Sequence, residues 1–127
     1  MYYLDSDILV DILRGHPPAV EWLASLEDEE ILISAFVVME LMEGCRDQSE
    51  LRRLTRFLEP FAVDWPREEV FRRAVDTFGR AHLSHGIGVI DTLIAHMAMA
   101  RGLPLCTFNV GHYTGIPDLE TIQPYSR

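Results

Sequence analysis

The chain has 127 residues, of which 48% are apolar and 24% charged, a balance that argues for a folded globular chain and against disorder. Twenty acidic residues face eleven basic ones for a net charge of −9, and all eleven are Arg. Mechanisms that need a lysine are therefore excluded, and binding of nucleic acid by bulk attraction is disfavoured, because phosphate contacts depend on cationic groups.

No apolar run approaches the ~20 residues of a membrane-spanning helix. Met1-Tyr2-Tyr3-Leu4-Asp5 lacks the basic flank and long apolar stretch of a leader. Cys45 and Cys106 make neither a disulfide framework nor a zinc site. The expectation is one cytoplasmic domain spanning residues 1–127, with no membrane association.

In chain order, Met1–Leu4 reads as a short buried strand and Ile8–Leu13 as a short helix closed by Gly15. Pro17-Pro18 open a second helix to about Leu26, proline being tolerated in a first turn. Trp22, Leu23 and Leu26 are expected in the core, with a partner groove as the alternative. After the acidic turn Glu27–Glu30, Ile31–Ile33 form a second strand, and Ser34 can cap the helix Ala35–Glu43 that ends at Gly44.

Leu51, Leu54 and Leu58 mark a helix over Gln48–Leu58, ended by Pro60, and Phe61–Val63 form a third strand. Arg67–Leu83 is a long amphipathic helix with Val70, Phe71, Ala74, Val75 and Phe78 inward. After the loop His85–Gly88, Asp91–Ala100 is helical; Leu105–Thr107 is a fourth strand, Asn109–His112 a polar turn, and Leu119–Ile122 a fifth strand. Short apolar strands alternating with helices imply a parallel sheet of four to five strands covered on both faces, an α/β/α sandwich. In such sheets ligands bind beyond the carboxyl ends of the strands.

Acids collect at those ends. Asp5 follows the first strand, Glu40 lies in the helix after the second, and Asp91 opens the helix after the glycine-flanked loop. Asn109 comes just past the fourth strand. The three acids each have a structural alternative: a turn or helix cap for Asp5, a helix cap for Asp91, an arginine pair for Glu40. If the acids converge, two carboxylates ~4 Å apart repel by on the order of 4 kcal/mol near a surface, so the pocket must import positive charge or protonate. Oxygen-only ligands suit Mg2+ or Mn2+, and such an ion supports phosphodiester hydrolysis.

The chain resembles the PIN-domain ribonucleases, specifically the VapC-type toxins of toxin–antitoxin modules. The likeness is carried by Leu4-Asp5-Ser6-Asp7-Ile8, by Ile33-Ser34-Ala35 through Met39-Glu40-Leu41-Met42-Glu43-Gly44, by Asp91-Thr92-Leu93-Ile94-Ala95, and by Leu105-Cys106-Thr107-Phe108-Asn109 through Tyr113. It implies a PIN-like three-layer α/β/α fold and a metal-dependent endoribonuclease. It further implies that Asp5, Glu40 and Asp91 hold Mg2+ or Mn2+, that Asn109 belongs to the catalytic set in place of a more usual Asp, and that Ser6 and Thr107 support the site by hydrogen bonding. Asp7 replaces a usual Asn, either adding charge or capping the next helix; Glu43 is a possible additional acid. RNA as substrate, a VapB-type antitoxin covering the active site with an Arg or Lys, and a homodimer follow from the same likeness.

Arg46, Arg52, Arg53 and Arg56 are candidates for flanking phosphates, the alternative being a solvated face paired with Glu50 and Glu59. His16, His82, His85, His96 and His112 show no ligand spacing, and His112 has a substrate contact as its alternative to packing. Two competing functions are a non-catalytic RNA- or protein-binding module of the same fold, and a haloacid-dehalogenase-type phosphatase using Asp5 and Asp7. The second lacks the basic residue, usually lysine, that such enzymes use.

Overall fold

The computed structural model describes all residues from Met1 to Arg127. Five strands form one sheet: β1 (Tyr2–Leu4), β2 (Ile31–Ser34), β3 (Ala62–Asp64), β4 (Leu105–Cys106) and β5 (Thr121–Ile122). Their order is β3-β2-β1-β4-β5 and every pairing is parallel. Six helices flank the sheet: α1 (Ser6–Leu13), α2 (Pro17–Ser25), α3 (Ala35–Glu43), α4 (Gln48–Leu58), α5 (Glu68–His85) and α6 (Val89–Ala100). This is the expected PIN-like α/β/α sandwich. A one-turn 3-10 segment, Val110–Tyr113, lies between β4 and β5.

The strands are short because only their apolar centres are covered on both sides. Tyr3, Leu4, Ile33 and Leu105 are fully buried, and Ile8, Leu9, Ile94 and Met97 close over them. All strands run the same way, but the strand order reverses at β1: the chain adds β2 and β3 on one side of it and β4 and β5 on the other. A crevice at the carboxyl ends of strands is expected at such a switch point. The Asp5 amide donates to the Cys106 carbonyl at 3.0 Å, tying the two strand ends together there.

Caps decide the helix starts. Ser34 accepts from the Phe36 amide at 3.0 Å and starts α3; Asp47 accepts from the Glu50 amide at 2.8 Å and starts α4. The capping alternative for Asp7 is corrected. Asp5 is the α1 cap, accepting from the Ser6 amide at 2.8 Å, and Asp7 lies inside the first turn. Nor does Asp91 cap α6, which begins two residues earlier behind Gly88.

The expected inner face of α5 is also only partly right. Val70 and Ala74 are buried, but Val75 is 68% exposed and Phe71 39%. With Phe78, Val89 and Leu93 those two side chains line an apolar hollow of about 280 Å³ between α5 and α6. Trp22 and Leu23 pack against the core, with the Trp22 ring edge-on to Tyr2. Leu23 and Leu26 also border a hollow of about 740 Å³ with Phe57 and Phe61. Both cysteines are free, and no helix is long and apolar enough to cross a membrane.

Candidate active site

The carboxyl ends of β1 and β4 carry the site. Asp5, 3% exposed, leaves β1 and is fixed by three donors. Its Oδ1 accepts from the Ser6 amide at 2.8 Å; its Oδ2 accepts from the Thr107 hydroxyl and from the Tyr113 hydroxyl, each at 2.8 Å. Thr107 follows β4 directly, so this bond spans the switch point.

Asp91 comes to the same place from the first turn of α6. Its Oδ1 lies 3.4 Å from the Tyr113 hydroxyl, and its Oδ2 lies 3.6 Å from His112 Nδ1. Burial raises the carboxyl pKa of Asp91, and the His112 ring and Tyr113 hydroxyl oppose the rise. Burial raises Asp5 likewise, against the bonds from Thr107, Tyr113 and Ser6 and with the repulsion of Asp91.

Glu40 arrives on α3. Its carboxyl is pushed up to about 7, first by burial and then by repulsion from Asp5 and Asp91, with the Ser6 hydroxyl opposing and Glu43 adding to the rise. Its Oε1 is buried and has no hydrogen-bond partner. The arginine-pair alternative for Glu40 is therefore corrected: no arginine reaches it. The structure brings Asp5, Glu40 and Asp91 within each other's electrostatic reach.

Asp7 has another task. Its Oδ2 accepts from the Phe108 amide at 2.7 Å and its Oδ1 sits 3.4 Å from the Thr107 hydroxyl, so it pins the segment after β4 onto α1. Burial raises its carboxyl, with Phe108 opposing and Asp5 adding. The Asn109 amide donates to Thr107 Oγ1 at 3.0 Å, while its side chain makes no hydrogen bond to the acids. Asn109 is half-buried beside the pocket rather than tied into it.

Sequence reasoning missed two residues. Tyr113 stands in the sequence only as the aromatic end of the segment after the fourth strand, with no role assigned, yet its hydroxyl lies 2.8 Å from Asp5 and 3.4 Å from Asp91. Arg14, an isolated cation at the end of α1, lines a hollow of about 500 Å³ with Glu40, Cys45, Glu50 and Arg53. Of the four candidate arginines, Arg46 is tied to Glu50 at 3.1 Å, and Arg52 and Arg56 face a separate hollow on α4. Only Arg53 shares a cavity with Glu40.

An oxygen-only donor set with one buried, unpartnered carboxylate oxygen fits a hard divalent cation. The acids are not drawn into a finished cage, since no three His, Cys, Asp or Glu side chains are already arranged to hold a metal. Instead the Tyr113 hydroxyl stands between Asp5 and Asp91.

Comparison with known proteins follows the same lines. The PIN domain profile matches residues 2–113. Ribonuclease VapC10 of Mycobacterium tuberculosis is 39% identical over 126 residues, covering 98% of this chain and 92% of the relative. Ribonuclease VapC19 of the same organism is 38% identical over 123 residues, covering 94% and 98%. Among solved structures, VapBC2 from Rickettsia felis bound to a promoter DNA fragment superposes with a TM-score of 0.78 at 25% identity, covering 95% of this chain and 96% of that one. FitAcB from Neisseria gonorrhoeae gives a TM-score of 0.78 at 25% identity and 98% coverage of both chains. The phosphatase alternative does not survive this match, and the chain belongs to the PIN-domain family, among its VapC ribonucleases.

Proposed function

We propose that this chain acts as one domain, a Mg2+- or Mn2+-dependent endoribonuclease and the toxin of a VapBC-type toxin–antitoxin pair, working in the cytoplasm as a homodimer. The observation that carries the reading is Glu40: a half-buried carboxylate whose Oε1 is buried and unpartnered, held against two other acids and no arginine. Such a group gains from a cation and costs stability without one.

In this reading Asp5, Glu40 and Asp91 hold the ion, which when bound supplies Lewis acidity toward a phosphate oxygen and the attacking water. Asp5 is rigid, with donors from three directions. Glu40 Oε1, free of donors, is the oxygen able to accept a proton from water. Thr107 and Ser6 orient Asp5 and Glu40, and Asn109, at the rim, offers an amide to the substrate. Arg53 and Arg14 border the hollow that contains Glu40 and are suited to the flanking phosphates of RNA. A VapB-type antitoxin would silence the pocket by presenting an Arg or Lys to the same carboxylates.

Purified protein should cleave RNA with Mn2+ and stop with EDTA. Asp5→Asn and Asp91→Asn should each lower the rate by at least about a hundredfold while leaving the melt cooperative. Cleavage persisting in both variants would refute the assignment. RNA binding without cleavage by the wild-type protein in Mn2+ would favour the non-catalytic binding module.

A further inference from the structure

Asp5 Oδ2 accepts two hydroxyl protons, one from Thr107 and one from Tyr113. An in-plane carboxylate oxygen offers two lone pairs, so these donors fill Oδ2. Oδ1 takes only the Ser6 amide and keeps one lone pair free. Tyr113 is 3% exposed, and its phenol oxygen also lies 3.4 Å from Asp91 Oδ1. One hydroxyl thus bridges the end of β1 and the first turn of α6.

The backbone delivers that hydroxyl with little slack. The 3-10 turn is closed by the His112 amide on the Asn109 carbonyl at 2.9 Å, and the Ile116 amide closes on the Tyr113 carbonyl at 3.1 Å. Gly115, just beyond, packs so closely on His85 that a Cβ there would collide with the His85 side chain. Phenylalanine would fill the same space with its ring, so the hydroxyl itself serves the carboxylates rather than the packing.

We propose that the Tyr113 hydroxyl is a positioning group for the cation pocket: it closes Asp5 Oδ2, leaves Oδ1 as the ion-facing oxygen of Asp5, and holds Asp91 Oδ1 beside it. This inference rests on the cation reading of the pocket given above. Tyr113 touches neither substrate nor reacting water in this scheme, and it acts through Asp5 and Asp91.

The test uses Tyr113→Phe, which removes one oxygen atom. Calorimetric titration of Mn2+ into wild type, Tyr113→Phe and Asp5→Asn, without RNA, is paired with the Mn2+ dependence of RNA cleavage. Residues that orient metal ligands typically contribute 10–100-fold to affinity, so Tyr113→Phe should bind Mn2+ about tenfold more weakly. The midpoint of the metal dependence should move by the same factor, while the rate at saturating Mn2+ stays within about threefold of wild type. That recovery by excess metal is what general structural damage would not give.

Unchanged Mn2+ affinity in Tyr113→Phe, or a lower plateau at an unchanged midpoint, overturns the proposal and leaves the cation reading standing. Wild type and Asp5→Asn that titrate alike remove the cation site itself, and the proposal with it. A Phe variant that no longer melts cooperatively assigns the hydroxyl to folding and overturns the proposal as well.

Discussion

Glu40 concentrates the conflict between stability and chemistry. Its carboxyl in the folded chain sits at about 7, against an ordinary 4.5. The folded state therefore binds this proton more tightly than the unfolded state does. Between those two values stability falls as pH rises, because protons are lost from the native form that the unfolded form has already given up. Asp5, Asp7 and Asp91 are raised too and act with the same sign. Asp11 is the exception: partial burial pulls it up, but Arg127 and Tyr125 outweigh burial and lower it, so its contribution is lost only on the acid side. In EDTA the urea midpoint should be higher at pH 5 than at pH 8, and Mn2+ at pH 8 should restore it. Glu40→Gln should abolish cleavage yet stabilise the metal-free protein at pH 8 by about 1 kcal/mol, the low end of an unsatisfied-group cost because the side chain is only half-buried. A metal-free melt that is flat with pH, or a Gln variant less stable than wild type, contradicts this account.

Glu40 depends in turn on the start of α3. Ser34 accepts from the Phe36 amide, and its hydroxyl lies 3.1 Å from the Met97 sulfur on α6. Ser34→Ala should destabilise by about 1 kcal/mol in urea unfolding, the usual value of a lost cap. A loss near zero would mean that α3 is held by packing alone. The same cap explains why α3 is legible in the sequence to the residue, bracketed by Ser34 and Gly44, while α4 is legible from its leucine spacing and Pro60. The starts of α1 and α6 were not legible. Asp5 and Asp7 are both competent caps, and only tertiary contact with Phe108 and Thr107 draws Asp7 away. Gly88 starts α6 with no side-chain bond at all, so nothing in the letters marks it. The acids of the site were legible because charge in an apolar stretch demands a reason. Tyr113 was not, since a buried aromatic satisfies every packing rule whether or not its hydroxyl matters. Arg14 lacks neighbours in sequence and gains significance only where α1, α3 and α4 meet.

Across the whole molecule, a net charge of −9 makes RNA binding a matter of local arrangement. Arg46, Arg72, Arg73, Arg80, Arg101 and Arg127 are committed to Glu50, Glu68, Glu69, Asp76, Asp64 and Asp11. Arg14, Arg52, Arg53, Arg56 and Arg67 remain free of such pairs, and of these only Arg14 and Arg53 border the hollow that holds Glu40. Each phosphate contact releases close to one counterion, so each contact adds nearly one unit to the slope of log affinity against log salt. Arg53→Ala and Arg14→Ala should therefore each flatten the salt dependence of RNA binding by about 0.7, the single-strand value. They should raise KM several-fold with kcat nearly unchanged, because a phosphate clamp away from the reacting bond binds ground and transition states alike. Arg67→Ala, just before α5 and outside the lining of that hollow, should change neither quantity and serves as the control. An unchanged slope in both hollow-lining variants, or a loss confined to kcat, would mean that RNA enters the acidic pocket by another face.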